Sequence, residues 1–190
     1  MPRLFTALEV PPPITERLSI LRGGLPGARW VEPENYHITL RFLGDVDDRM
    51  ARTAVELLDG VSREPVRITL DALDAFGGDR PRTIFARVQP TPELTELQAE
   101  QERLVRRAGL APEGRKFTPH VTLARLRDVK AADVANWLAM RGGAPKLEYD
   151  ANRFVLMSSR ASTGGGPYVV EEAWPLGADW EEDHAEEARW

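Results

Sequence analysis

The chain has 190 residues, 42% of them apolar and 29% charged, with a formal net charge of −5, the profile of an ordinary soluble domain. It contains no cysteine, which excludes disulfides and thiolate metal sites. No apolar run approaches the roughly 20 residues that cross a bilayer, and the opening MPRLFTALEVPPP lacks the apolar core of a secretory signal, so a cytoplasmic protein without a membrane partner is expected.

Arg3–Val10 reads as a strand, ended by Pro11-Pro12-Pro13, with a short helix near Ile14–Leu21. Glycines and Pro26 make a loop before Arg29-Trp30-Val31. Tyr36–Leu43 is a second strand, and Asp47–Leu58 is an amphipathic helix with Met50, Ala54, Leu57 and Leu58 at helical spacing. Pro65–Leu73 and Thr83–Val88 are strands joined by a loop containing Gly77-Gly78 and Pro81. Thr91–Ala108 is the longest helical pattern, with Thr91 as N-cap, Pro92 in its first position, Leu94, Leu97, Gln101, Leu104 and Val105 on its buried stripe and Gly109 as its stop. Thr118–Leu126 is a strand, Asp128 caps a helix through Met140, and Leu147–Ser158 and Tyr168–Trp174 are the last two strands, joined through Gly164-Gly165-Gly166-Pro167. Trp30, Trp137 and Trp174 read as core. The alternation predicts an α+β fold with helices packed on the sheet backs.

Charge is unevenly spread. Residues 171–190 hold eight acids against the single base Arg189, which leaves +2 on residues 1–170. Residues 1–176 are read as the folded domain and 177–190 as an acidic tail, with His184 solvated among its acids. Between Arg103 and Lys130 stand eight Lys/Arg and only two acids, Glu113 and Asp128. Such a stretch can hold phosphates or simply form a solvated face.

One feature rises above this background. His37-Ile38-Thr39-Leu40 recurs 83 positions later as His120-Val121-Thr122-Leu123, and the chain has only one other histidine. In a strand, His and Thr two apart share a face while Ile38, Leu40, Val121 and Leu123 point into a core. The spacing fits an internal duplication that would bring both copies to a pseudo-twofold axis. Two imidazoles without cysteine or a third histidine suit zinc poorly, and no Gly-x-Ser-x-Gly elbow points to acyl transfer. They suit phosphodiester opening, which needs one base for the nucleophile and one acid for the leaving oxygen. Hydroxyls and an arginine would hold the non-bridging oxygens.

At these positions the sequence resembles the 2H phosphoesterase superfamily, and more narrowly the bacterial RNA 2′,3′-cyclic phosphodiesterase family, also called 2′-5′ RNA ligase. The likeness is carried by Trp30-Val31-x-Pro33-Glu34-Asn35-x-His37-Ile38-Thr39-Leu40-x-Phe42-Leu43-Gly44 and by Pro119-His120-Val121-Thr122-Leu123-Ala124-Arg125. Arg3-Leu4-Phe5-x-Ala7-Leu8 and Gly166-Pro167-Tyr168 agree as well. The resemblance implies a bilobal domain of two pseudo-symmetric lobes, each an antiparallel sheet backed by helices, facing across a central cleft. It implies that His37 is the general acid for the leaving ribose oxygen and His120 the general base for water. Thr39 and Thr122 would hydrogen-bond the phosphate and Arg125 would clamp it. O3′ would leave, giving a 2′-phosphate, with no cofactor or metal. The family carries an aromatic at Phe42 that can contact a base, although strand parity points Phe42 with Ile38 and Leu40. Parity also puts Arg41 with His37 and Thr39 at the cleft rim. Tyr36 and Tyr168 could stack on a base but read first as strand packing, and Arg80 and Arg82 are candidate backbone contacts.

The expected substrates are RNA with 2′,3′-cyclic phosphate ends or cyclic nucleotides, acted on by a monomer. The same residues would serve a 2′-5′ RNA ligase using cyclic phosphate and 5′-hydroxyl ends. A non-catalytic RNA-end-binding module would need neither both histidines nor both threonines with Arg125.

Overall fold

The computed structural model describes residues 3–142, 146–159 and 167–177; His184, the tail beyond 177 and the glycine run at 164–166 lie outside them. In chain order the elements are β1 (Arg3–Glu9), α1 (Pro12–Ser19), β2 (Ala28–Trp30), a 3-10 turn at Pro33–Asn35 and β3 (His37–Gly44). Then come α2 (Asp48–Leu58), β4 (Val66–Phe76), β5 (Thr83–Val88), α3 (Pro92–Arg107) and β6 (His120–Leu126). The chain ends with α4 (Ala131–Met140), β7 (Leu147–Ala151), β8 (Arg153–Ser159) and β9 (Tyr168–Pro175). Two helix starts follow from side-chain caps. The Asp47 carboxylate accepts from Met50 N at 2.8 Å, and the Thr91 hydroxyl accepts from Leu94 N at 3.3 Å ahead of Pro92. Gly109, at φ +110, ends α3 as expected. No helix among the described residues is long and apolar enough to cross a membrane.

Two local expectations are corrected. Asp128 does not cap α4: it takes φ +54 in the turn after β6, and Lys130 occupies the N-cap position. A short polar side chain tolerates that left-handed conformation, so the residue is spent on the turn. Leu147–Ser158 is two strands, broken at the exposed Asn152. Leu147–Ala151 pairs with β4, whereas Arg153–Ser159 pairs with β1 and β9.

The strands form one antiparallel path, β7-β4-β5-β6-β3-β1-β8-β9, with β2 added to the far end of β6. It divides into two four-stranded halves that meet at β3 and β6, where Ile38 stands opposite Val121. Only Asn152 separates β7, at one edge, from β8, near the other, so the path cannot be flat and its halves approach again there. One face carries the main core. Ile38, Leu40, Val121, Leu123, Ile68 and Ile84 from the strands pack with Ile14, Leu58, Leu97 and Trp137 from the four helices. Phe5, Ala7, Val155 and Met157 alternate to the other face and make a small second cluster with Tyr168 and Ala173.

The halves share a detail that parity alone does not foresee. On β3 the register against β1 jumps from Ala7–Thr39 to Thr6–Arg41, and on β6 the register against β5 jumps from Phe85–Thr122 to Ile84–Ala124. Leu40 and Leu123 are therefore bulged, one residue beyond the partner strand. Their carbonyls are not orphaned: Gln98 Nε2 of α3 donates to Leu40 O at 3.4 Å, and Val31 N donates to Leu123 O at 2.9 Å. Each bulge turns two consecutive residues toward the helices, Leu40 with Arg41 and Leu123 with Ala124, all buried. The next residues, Phe42 and Arg125, then emerge on the opposite face, the one that carries the histidines.

This overturns the expected place of Arg41. It lies on the helix side at 6% exposure, its Nε bonded to the Glu102 carboxylate, Nη1 donating to Phe42 O and Nη2 to Ala111 O at 2.6 Å. The other oxygen of Glu102 accepts from Glu113 N at 3.1 Å, so one ion pair ties the β3 bulge to the segment leading into β6. Glu102→Ala leaves that buried guanidinium uncompensated and should cost about 3–5 kcal/mol of stability. Adding Arg41→Met should recover much of the loss. Urea unfolding followed by tryptophan fluorescence measures both, and a single-mutant loss below about 1 kcal/mol would mean that the pair holds nothing in place.

Candidate active site

Both His-x-Thr motifs lie on the seam between the two halves. Continuing the register of the Ile38–Val121 pair sets His37 opposite Thr122 and Thr39 opposite His120, all four on the face away from the main core. The duplication thus produces one site. Each imidazole is oriented by its own chain: His37 Nδ1 donates to Asn35 O at 2.8 Å and His120 Nδ1 to Thr118 O at 2.7 Å. With the proton held on Nδ1, Nε2 is the nitrogen left for chemistry. His37 Nε2 accepts from the Thr39 hydroxyl at 3.0 Å.

Rings hold each imidazole from the side. Phe5 and Tyr168 lie 5.0 and 4.9 Å from His37, centroid to centroid, Tyr168 edge-on. Phe76 and Phe85 lie 4.9 and 5.2 Å from His120. Tyr168 therefore packs against the site rather than within the strands alone, whereas Tyr36 is core. Trp137 and Trp174 are buried as expected, with Trp30 half-buried 5.5 Å from Trp137. Phe76 and Phe85 carry no signal in the sequence, and Phe5 stands there only within a segment of the family resemblance, because their relation to the histidines exists only through strand pairing.

This packing sets the electrostatics. Burial pushes His37 down to about 4; its Asn35 hydrogen bond pulls the other way, and the charges of His120 and Arg125 add to the depression. His120 is lowered too, first by burial, with its Thr118 bond opposing and Arg125 adding. Both rings are therefore mainly neutral near pH 7. The unfolded chain takes up the His37 proton near pH 6.5 and the folded chain near 4, so stability falls as pH drops through that window and is unaffected above it.

Arg125 is exposed on the histidine face, opposite Thr83 on one side and Arg29 on the other. Phe42, expected by parity with Ile38 and Leu40, instead stands 49% exposed on the histidine face, 5.6 Å from Phe5. Phe42 and Arg125 occupy equivalent places in the two halves, five residues after each histidine and just beyond each bulge. Arg80 and Arg82 are exposed between β4 and β5. The basic stretch is not one surface: Arg103, Arg106 and Arg107 ride the outer side of α3, while Arg115, Lys116 and Arg127 flank β6. Two neutral imidazoles with defined Nε2 atoms, paired hydroxyls and a cation felt by both can divide the proton transfers of a phosphoryl displacement.

The chain as a whole is similar to known proteins. The family model of the 2′-5′ RNA ligase superfamily matches residues 10–163. The RNA 2′,3′-cyclic phosphodiesterase of Escherichia coli is 32% identical over 184 residues, covering 92% of this chain and 96% of that protein. The protein of that name from Aquifex aeolicus is 33% identical over 154 residues, 78% and 82% of the two. Among solved structures, E. coli LigT complexed with 3′-AMP aligns with a TM-score of 0.75 at 26% identity, over 94% of this chain and 100% of that one. From the family match and these relatives, the chain belongs to the 2′-5′ RNA ligase superfamily.

Proposed function

We propose that this protein hydrolyses 2′,3′-cyclic phosphates, at RNA ends or on nucleotides, to 2′-phosphomonoesters. The observation that carries this reading is the pair of imidazoles brought to one seam by antiparallel strands, each with Nδ1 tied to a carbonyl. His120 Nε2 takes a proton from water as its oxygen bonds phosphorus, and His37 Nε2–H gives one to O3′ as the P–O3′ bond breaks. Thr39 and Thr122 hold non-bridging oxygens, Arg125 neutralises their charge, and Phe42 offers its exposed ring to the base. The names of the relatives and the nucleotide bound by LigT support the substrate class. Because one chain supplies both motifs, the working unit is a monomer, and we place it in the cytoplasm.

The acid must carry a proton although burial leaves the free ring neutral. A phosphate anion beside it supplies the missing stabilisation, because a neighbouring negative charge raises an imidazole pKa. The basic limb of kcat, which reports the complex, should therefore lie at higher pH than the basic limb of kcat/KM, which reports the free enzyme. Coincident limbs, measured on a nucleoside 2′,3′-cyclic phosphate, would remove the anion from this role.

His37→Ala and His120→Ala should each cut turnover at least about a hundredfold. The double variant should lose far less than the product, since the two act on one displacement. Wild-type turnover by either folded single variant would overturn the two-histidine mechanism.

In this reading the proton transfers fall to the two imidazoles, with no metal taking part. Activity should survive EDTA; loss on chelation with rescue by a divalent ion would reassign the chemistry.

A further inference from the structure

Water needs no apolar surface to reach phosphorus, yet the histidine proposed to activate it is walled by two aromatic rings. Phe76, the last residue of β4, lies on Phe85 with centroids 4.0 Å apart and 23° between the planes. Both turn toward His120, at interplanar angles of 82° and 62°. Phe85 is 3% exposed, but Phe76 is only half-buried, with its ring 4.9 Å from the imidazole, centroid to centroid. The following turn fixes it there. Phe76 O accepts from Arg82 N at 2.8 Å. Gly77 sits at φ +114, where an added Cβ would meet Arg80 O at 2.3 Å, so the tight return is built around glycine.

Attacking and leaving oxygens lie roughly in line through phosphorus. The ribose that carries the cyclic phosphate therefore lies toward His37, and the attacking group enters from the His120 side. Phe42 serves the first side, and Phe76 is the aromatic surface of the second. Hydrolysis gives the second surface nothing to bind.

We infer that Phe76, backed by Phe85, is a subsite for the base of a second nucleoside whose 5′-hydroxyl replaces water as the nucleophile. The inference rests on the proposed phosphodiesterase reading. O5′ bonds phosphorus while its proton passes to His120 Nε2; the P–O3′ bond breaks, and O3′ takes the proton from His37 Nε2. The products are a 2′-5′ phosphodiester and a free 3′-hydroxyl, with no co-reactant required. Aromatic stacking is tolerant of base identity, so the subsite accepts any nucleoside end.

The test is a partition measurement, which cancels any common effect of a variant on catalysis. A nucleoside 2′,3′-cyclic phosphate is turned over with increasing uridine, and separately with increasing methanol. The ratio of 2′-diester to 2′-phosphate is read by mass and by phosphatase sensitivity. The wild type should show a ratio that saturates with uridine and stays linear with methanol. Phe76→Leu should lower the uridine ratio about tenfold or more without changing the methanol ratio, and Phe76→Tyr should restore it. A uridine ratio that is linear in the wild type, or unchanged in Phe76→Leu, overturns the subsite. So does an equal fall with both alcohols, which assigns Phe76 only to packing His120. If the wild type hydrolyses no cyclic phosphate at all, the parent reading fails and takes the subsite with it.

Discussion

The antiparallel contact of β3 with β6, and the bulge that follows it on each strand, is the constraint on which the remaining structure depends. Antiparallel pairing about Ile38 and Val121 makes each histidine face the other motif's threonine. In a parallel arrangement like residues would line up instead. The bulges then solve a problem of parity. A regular strand puts the fifth residue after a histidine on the wrong face, so neither Phe42 nor Arg125 could reach the site. One extra residue, Leu40 or Leu123, corrects this in each half, and its carbonyl is satisfied by a neighbour rather than by the ladder.

The sequences just past the bulges differ, and there the twofold relation ends. At the first buried step one half has Arg41 and the other Ala124. At the exposed step one has a ring and the other a guanidinium. The first half spends its charge inward, on Glu102 and the loop before β6. The second spends it outward, near both imidazoles. A symmetric scaffold thus carries an asymmetric field, with the Phe42 ring on the His37 side and the cation reaching both imidazoles.

Much of this was legible in the sequence because the cues were local. Thr91-Pro92 and Asp47 announce helix starts, Gly109 a stop, and the repeated tetrapeptide announces the site. What was not legible depends on partners. Strand parity puts Arg41 on the wrong face, and argues against the place that the resemblance gives Phe42, because it assumes an unbroken ladder; a bulge is specified by the neighbouring strand and by Gln98, not by the strand's own pattern. The Asn152 break was hidden because both flanking segments are good strand formers, and only pairing with β4 or β1 tells them apart. Asp128 looked like a cap because the same polar side chain also suits a left-handed turn.

The one-residue passage at Asn152 bears on how the molecule is assembled. β1 pairs with β8, about 150 positions along the chain, and Tyr168, from the strand after that, closes over His37. On the ribosome, where chains emerge from the N-terminus, the half that contains the first motif therefore cannot be completed until nearly all of the protein has been synthesised. The other half, apart from β7, comes from the continuous stretch β4 to β6 and can gather earlier. Long-range pairings of this kind form late and slowly. The first histidine to be translated is then the last to be enclosed, and β8, which leads to the strand that encloses it, enters directly from the far edge of the sheet.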